Sequence, residues 1–170
     1  MNSEKYTFRK ANDDDFISIW EIILFAKETR KQEGSNQWQD GYPNENTIQT
    51  DIKNRYGYVV EIQSKIVGYV AVIFGQEPAY ESIEGKWLSE QPYTVVHRMA
   101  VSSEGKGKGL GKYILEKVEK LSLDNHIFSI RIDTNFDNIP MLHIIEKLGY
   151  TYCGKVYFRG SARKAFEKVL

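Results

Sequence analysis

The segment from residue 93 to residue 133 constrains the fold more than any other part of this 170-residue chain. It begins with the apolar run YTVVHRMAV and passes through SSEGKGKG. It then places Leu110, Ile114 and Val118 on one face of a helix, before a second apolar run, IFSIRID. Two strands joined by a helix in this way lie parallel, with a right-handed crossover. The chain is therefore predicted to contain a parallel strand pair.

The flanking segments predict antiparallel strands, so the whole sheet is expected to be mixed. GYVVEI at 57–62 and IVGYVAVIF at 66–74 are joined by the polar QSK and are typical of a hairpin. The second arm is apolar on both faces, which predicts a strand inside the sheet. Periodicity and turn signals predict strands at 6–11, 150–158 and 164–169, helices at 12–31, 47–54 and 137–149, and a long loop at 75–92.

Composition predicts one domain over residues 1–170, because 41% of the residues are hydrophobic and the length suffices for a single core. The 23 basic and 23 acidic residues balance, so neither nucleic acid nor a membrane is expected as a partner. The lone Cys153 excludes an internal disulfide and a cysteine-rich zinc site, and we expect a structural role for it and no metal. With no signal-peptide or membrane-spanning run, a cytoplasmic protein is predicted. The sequence leaves open whether the protein forms a homodimer.

Alternating glycines stand between the predicted strand and helix of the parallel unit. Backbone N–H groups at such a place converge, with those of the first helical turn, on a point at the positive end of the helix dipole. Glycine permits positive φ and lets a phosphate approach the backbone. The glycines are Gly105, Gly107, Gly109 and Gly111, and the lysines among them are Lys106, Lys108 and Lys112. The segment predicts a phosphate site, against the simpler alternative of a flexible turn.

Spacing excludes the two commonest nucleotide motifs. A P-loop would need glycine at Lys106 and a magnesium-binding hydroxyl at Tyr113, and G-x-G-x-x-G does not match from either possible starting glycine. The pattern [Q/R]-x-x-G-x-[G/A] fits at Gly109 and Gly111 and departs at its first place, where Lys106 stands instead of Gln or Arg. The departure is mild because such a loop works mainly through backbone amides.

A second motif follows at 138–150, where NIPMLHIIEKLGY resembles N-x-x-A-x-x-L-Y-E-K-x-G-[FY]. With HRMAV before the glycine loop, the two motifs make nearly the whole chain resemble the GCN5-related N-acetyltransferase (GNAT) superfamily. The resemblance implies a mixed α/β fold with a mostly antiparallel central sheet flanked by helices, and acetyl-CoA as co-substrate. The residues it implies for acetyl-CoA binding are Met99, Ala100, Val101, Lys106, Gly107, Lys108, Gly109, Leu110, Gly111, Lys112 and Asn138.

The same resemblance implies direct transfer of an acetyl group to a primary amine of a small molecule or peptide. His97 stands four residues before Val101, where a member of the family has a catalytic histidine, and is the candidate base. A histidine that only packs in the strand is an equal alternative. Ile145 occupies the place of the family's usual tyrosine acid, so Tyr152, or else Tyr157, is the candidate acid.

Because Ile145 cannot supply a proton, a second hypothesis is a non-catalytic CoA-binding or regulatory module on the same fold. A purely structural interaction domain is a third. In the family, the segments corresponding to 31–47 and 76–92 border the acceptor site, so four aromatic residues there are candidates for acceptor binding, unless they only pack these loops onto the body. They are Trp38, Tyr42, Tyr80 and Trp87.

Overall fold

The computed structural model of the protein describes residues 5–170. The strands are β1 Thr7–Lys10, β2 Gly57–Ile62, β3 Lys65–Phe74, β4 Glu84–Gly85, β5 Thr94–Val101, β6 Ser129–Thr134, β7 Thr151–Phe158 and β8 Ser161–Val169. The helices are α1 Phe16–Gln32, α2 Glu45–Lys53, α3 Pro78–Glu81, α4 Leu110–Asp124 and α5 Ile139–Lys147, and a 3₁₀ turn at Asp13–Asp15 precedes α1.

Within this described part of the chain the strands form one open sheet in the order β1-β2-β3-β5-β6-β8-β7-β4. The predicted parallel pair is confirmed, since β5 and β6 run parallel in a register from Thr94↔Ile130 to Val96↔Ile132. Five other neighbouring pairs are antiparallel: β1 with β2, β2 with β3, β4 with β7, β6 with β8, and β7 with β8. The predicted mixed, mostly antiparallel sheet flanked by helices is confirmed.

Local capping explains where the helices begin. The Asn44 side chain accepts from the Thr47 N–H, and the Thr47 hydroxyl accepts from the Asn44 N–H, so α2 starts with a reciprocal capping box. Asn138 caps α5, and Gly149, at φ 87°, ends the turn that follows it. No helix in residues 5–170 combines the length and apolar character that a membrane crossing requires.

The chain divides into two compact units, one comprising residues 5–71 and 98–114 and the other residues 72–97 and 115–170. The core of the first is built from α1, α2 and neighbouring strands, and includes Ile19, Ile23, Ile48, Ile52, Val59, Tyr69 and Ala100. The core of the second includes Tyr80, Tyr93, Val95, Val156 and Ala165. The prediction of a single domain over the whole chain stays a prediction.

The predicted long loop at 75–92 is wrong in part, because it contains α3 and β4. Glu77 caps α3 through its side chain and Pro78 occupies the first turn. In β4, Gly85 pairs with Gly154 of β7 at very close range. A β-carbon on Gly85 would lie 2.1 Å from the Cys153 carbonyl oxygen, so only glycine permits this crossing. A two-residue strand has no periodic signal that a sequence pattern could reveal.

Candidate active site

The loop between β5 and α4 is a compact turn in the first unit. The Ser102 N–H donates to the Val67 carbonyl at 2.9 Å, and the N–H groups of Gly105 and Lys106 donate back to the Ser102 carbonyl at 3.1 and 3.0 Å. A β-carbon on Gly105 would lie 2.6 Å from Leu110 Cδ1. Gly105 is therefore required for packing, while the exposed glycines that follow it are free for another role.

Gly107 and Gly109 both have left-handed backbones, with φ of 78° and 72°. The Tyr113 N–H donates to the Gly109 carbonyl at 3.1 Å, which opens the hydrogen-bond ladder of α4. The N–H groups of Leu110 and Gly111 precede that bond and have no acceptor within the helix. Exposed left-handed glycines followed by helix N-terminal donors form a donor surface that favours an anion, and its binding of the acetyl-CoA pyrophosphate stays a prediction.

Three exposed lysines surround this donor surface: Lys106, Lys108 and Lys112. The Tyr6 hydroxyl donates to the Lys108 carbonyl at 3.4 Å and so holds the loop against β1. The lysine charges are in water and act on an anion by general attraction rather than by fixed bonds.

The strand residues predicted to bind acetyl-CoA follow the last residue that pairs with β6. The register of the parallel pair ends at Val96 and Ile132, whereas β5 continues to Val101. Ala100 is buried in the core of the first unit, and Met99 and Val101 are partly buried. In the second unit, the Asn138 side chain accepts from the Met141 N–H at 3.4 Å as the cap of α5. A role of these residues in cofactor binding stays a prediction.

His97, the candidate base, forms a pair with a carboxylate that the sequence analysis did not single out. His97 Nε2 lies 2.9 Å from Glu77 Oε2, and both side chains are largely buried. The other Glu77 oxygen accepts from the Ala79 N–H at 3.3 Å, and the Glu77 N–H donates to the Tyr93 hydroxyl at 3.2 Å. Glu77 is thus fixed at the start of α3 and orients the imidazole. The only feature of the neighbouring sequence that could have pointed to Glu77 was an acidic side chain directly before Pro78.

Aromatic rings and a buried carboxyl group surround the imidazole in the second unit. The rings of Phe158 and Tyr80 have their centroids 5.9 and 6.3 Å from that of His97. The Tyr80 hydroxyl donates to Asp133 Oδ1 at 2.6 Å. Burial raises the pKa of Asp133, although the charges of His97 and Arg163 and the bond from Tyr80 oppose it. Burial and the nearby Asp133 also raise the pKa of the Tyr80 phenol well above its ordinary value.

Tyr80 is 1% exposed and belongs to the core of the second unit, as expected if it packs its loop onto the body, and a role in acceptor binding stays a prediction. Trp87 packs on Tyr80 with ring centroids 5.1 Å apart, and its Nε1–H donates to the Tyr80 carbonyl at 2.8 Å. The Arg131 guanidinium lies between two rings, 4.3 Å from the Trp87 centroid and 4.0 Å from that of Tyr93. Trp87 is therefore held in place.

A buried ion pair fixes the chain that follows Trp87. Arg131 Nε donates to Glu167 Oε1 at 2.9 Å, and the Glu167 side chain is fully buried. Glu167 Oε2 accepts the N–H groups of Leu88 and Ser89, at 2.5 and 3.0 Å. Its Oε1 also accepts the hydroxyls of Ser89 and Ser129, at 3.0 and 2.8 Å. Five donors therefore converge on one carboxylate.

The other two aromatic candidates belong to the first unit. Trp38, at φ 63°, packs partly buried against the core there. The Tyr42 hydroxyl accepts from Arg98 Nη1 at 2.5 Å, and Arg98 itself has a left-handed backbone with φ 52° inside β5. The structure brings Tyr80, Trp87 and His97 together, and separately ties Tyr42 to the residue that follows His97.

The candidate acid residues lie on the second unit. Tyr152 is half exposed and its ring contacts Phe166 edge-on, at 5.7 Å between centroids. The Tyr157 hydroxyl donates to Glu84 Oε2 at 2.7 Å, a bond that raises the pKa of this phenol. Ile145 is fully buried in α5. In residues 5–170, no three His, Cys, Asp or Glu side chains are grouped so that they could hold a metal ion.

The mixed, mostly antiparallel sheet flanked by helices gives the fold class, and comparison with known proteins gives the family. The profile of the acetyltransferase (GNAT) family matches residues 17–150, and the chain belongs to this family. A GNAT-family acetyltransferase from Streptococcus agalactiae 2603 is 38% identical, with a TM-score of 0.88, over 97% of this chain and 95% of that one. The resemblance noted from the motifs is confirmed.

Two further proteins are similar to this chain. The structure of yncA from Salmonella typhimurium with its cofactor acetyl-CoA has a TM-score of 0.70 over 98% of this chain and 94% of that one. At 15% identity this likeness shows the fold alone. Streptothricin acetyltransferase from Escherichia coli is 29% identical over 59 residues, which are 35% of this chain and 34% of that enzyme. The match thus spans about a third of that curated relative.

Proposed function

We propose that the protein is an N-acetyltransferase that transfers the acetyl group of acetyl-CoA to a primary amine of a small molecule or peptide. The observation that carries this proposal is the His97–Glu77 pair, in which His97 stands on β5 immediately before the strand and loop residues suited to acetyl-CoA. A histidine within hydrogen-bond reach of a carboxylate that orients it is the arrangement of a general base.

The chain's own residues have separate tasks in this proposal. The N–H groups of Gly107, Gly109, Leu110 and Gly111 bind the pyrophosphate, and the exposed lysines attract it. When bound, acetyl-CoA supplies an acyl group activated as a thioester. His97 accepts the proton of the ammonium group, directly or through one water. Only about four parts in ten thousand of a lysine-like amine are neutral at pH 7, so a base accelerates formation of the nucleophile.

The reaction balances with these groups and solvent. The neutral amine nitrogen forms a bond to the thioester carbonyl carbon, the carbon–sulfur bond breaks, and CoA leaves as a thiolate. The second amine proton is lost to solvent. The thiolate takes a proton from Tyr152 or from water; because a thiolate is a good leaving group, the acid is helpful but dispensable.

The alternative of a non-catalytic CoA-binding module is favoured by one observation. Ile145, at the place of the family's usual acid, is fully buried and has no group that could donate a proton. The two functions differ in turnover. With acetyl-CoA and a panel of primary amines, the enzyme should release thiol only when an acceptor is present, and mass spectrometry of the product should show one added acetyl group. Acetyl-CoA binding without thiol release from any amine would favour the module.

A matched pair of variants tests the acetyl-CoA site. Gly107 and Gly160 are both exposed, have φ of 78° and 76°, and have open space around them. Glutamate at either position introduces the same backbone strain and the same charge, but only Gly107→Glu places it beside the proposed pyrophosphate site. At 100 times Kd, acetyl-CoA should stabilise the wild type by about 2.7 kcal/mol.

Gly160→Glu should keep that stabilisation, and Gly107→Glu should weaken acetyl-CoA binding about tenfold or more through like-charge repulsion. Thermal unfolding with and without acetyl-CoA measures both. Equal stabilisation of the two variants would remove the loop from the site.

A further inference from the structure

We propose that Asp51 is a positioning residue for the reaction, acting through Arg98 to hold the left-handed turn of β5 between His97 and Met99. The inference rests on the proposed function, since the candidate base directly precedes this turn and the strand residues suited to acetyl-CoA directly follow it. Asp51 itself touches neither substrate.

The turn at Arg98 is unusual for a residue with a side chain. Its φ of 52° lies in a region that non-glycine residues adopt only when the surroundings enforce it. A regular strand at this point would direct the following peptide groups differently. Other interactions must therefore offset the backbone strain at Arg98, which sets the direction of the main chain between His97 and Met99.

A nearly buried ion pair supplies that compensation. Arg98 Nε donates to Asp51 Oδ2 at 2.8 Å and Nη2 donates to Oδ1 at 2.5 Å, with the two side chains 10% and 3% exposed. This bidentate geometry fixes the guanidinium plane as well as its distance. The third nitrogen donates to the Tyr42 hydroxyl, so all three guanidinium nitrogens have partners.

The carboxylate is held as firmly as the guanidinium. The Tyr69 hydroxyl donates to Asp51 Oδ2 at 2.6 Å. Asp51 lies on α2, whose Ile48 and Ile52 pack in the same core as Tyr69 and Ala100. Burial alone would lower the pKa of Arg98, but the bonds and charges of Asp51, Tyr42 and Tyr69 raise it, so the guanidinium stays charged. The network is thus a rigid connection from α2 to the turn.

The test combines removal of the ion pair with removal of the strain. Asp51→Asn keeps the shape of the side chain but weakens the hold on Arg98, so the turn should relax and kcat should fall about ten- to a hundredfold. In the double variant Asp51→Asn/Arg98→Gly, glycine adopts the positive φ without support. The double variant should therefore recover most of the lost kcat while being less stable than Asp51→Asn, because it has lost more packing.

Asp15→Asn is the matched control in the same unit. Asp15 also accepts two bonds from one arginine, Arg9, at 2.7 and 2.9 Å, and its side chain is also largely buried. This variant should lose stability without losing kcat. If activity instead follows stability across the four proteins, so that the double variant is the least active, the proposal is overturned.

Hydrogen exchange separates this outcome from failure of the proposed function. The amides of residues 98–101 should exchange faster in Asp51→Asn than in Asp15→Asn and the wild type. That readout needs no turnover, so it decides the matter even if the wild type acetylates no amine. Unchanged exchange at 98–101 in Asp51→Asn would overturn the proposal, while absence of turnover in the wild type would overturn only the proposed function.

Discussion

Replacing Glu167 with glutamine should destabilise the protein far more than the loss of one charge at a surface would. The carboxylate is fully buried, and five donors each reach one of its two oxygens. Glutamine has the same shape but replaces one oxygen with an NH₂ group, which cannot accept. The loss of stability depends on which of the two carboxylate oxygens the NH₂ group replaces.

At the place of Oε2 the NH₂ group would face the backbone N–H groups of Leu88 and Ser89, which cannot turn away. At the place of Oε1 it would face the hydroxyls of Ser89 and Ser129, which can rotate to accept, and the Arg131 Nε–H, which cannot. The second arrangement is the better one, and it leaves a buried guanidinium without a counter-charge. Such losses cost about 3 to 5 kcal/mol.

For a chain of this length that cost corresponds to a fall in Tm of about 6 to 20 °C. Urea unfolding and thermal unfolding should both report it. Hydrogen exchange should show the amides of Leu88 and Ser89 opening first, because Glu167 is their acceptor. Glu119→Gln is the control, since Glu119 pairs with Lys168 at 2.6 Å with both side chains partly exposed, and its loss should cost about 1 kcal/mol or less.

The reasoning is refuted if the free energy of unfolding of Glu167→Gln lies within about 1 kcal/mol of that of the wild type, or equals that of Glu119→Gln. The buried cluster would then not contribute the stability assigned to it.

Four other variants address the groups around His97. Since the pKa of Asp133 is raised in the folded protein, the wild type should be most stable relative to Asp133→Asn below about pH 3.9 and lose that advantage as pH rises through the raised pKa, which urea titrations across pH would show. Glu77→Gln should lower kcat/KM and alter the acidic limb of its pH profile, and His97→Gln should flatten that limb with a loss of about 10²- to 10⁴-fold. Trp87→Ala should raise KM for the amine and leave acetyl-CoA affinity unchanged; equal loss of both would indicate general unfolding.

The sequence was sufficient to predict elements whose signal lies within about fifteen residues. The helical spacing of α4, the alternation in β1 and the glycines before α4 are local, so the parallel unit and the family motifs could be recognised. The pairs that organise the site are not local. Glu77 and His97 are 20 residues apart, Arg131 and Glu167 36, and Asp51 and Arg98 47. Which side chains meet at such separations depends on strand register and helix packing, and no pattern of neighbouring residues contains that information.

Tyr80 is a second case in which a contact distant in the sequence could not be predicted from neighbouring residues. In the sequence it is an aromatic residue in a polar connection, typical of a binding loop. In the structure Tyr80 lies on α3, and Asp133 on β6 accepts a hydrogen bond from its hydroxyl, so the phenol has a partner when the ring is buried. The burial of this one side chain was decided by a partner 53 residues away.

The glycine crossing of β4 over β7 has a consequence for how this protein can diversify. Because neither Gly85 nor Gly154 can accept a β-carbon, their close main-chain pairing fixes the middle of the connection between β3 and β5 to β7. Insertions or exchanges on one side of Gly85 need not disturb the other side. Evolution or protein engineering could therefore change residues 81–83 and residues 90–92 independently of each other. Such changes would alter the surface chemistry while the pairing of β4 with β7 is kept.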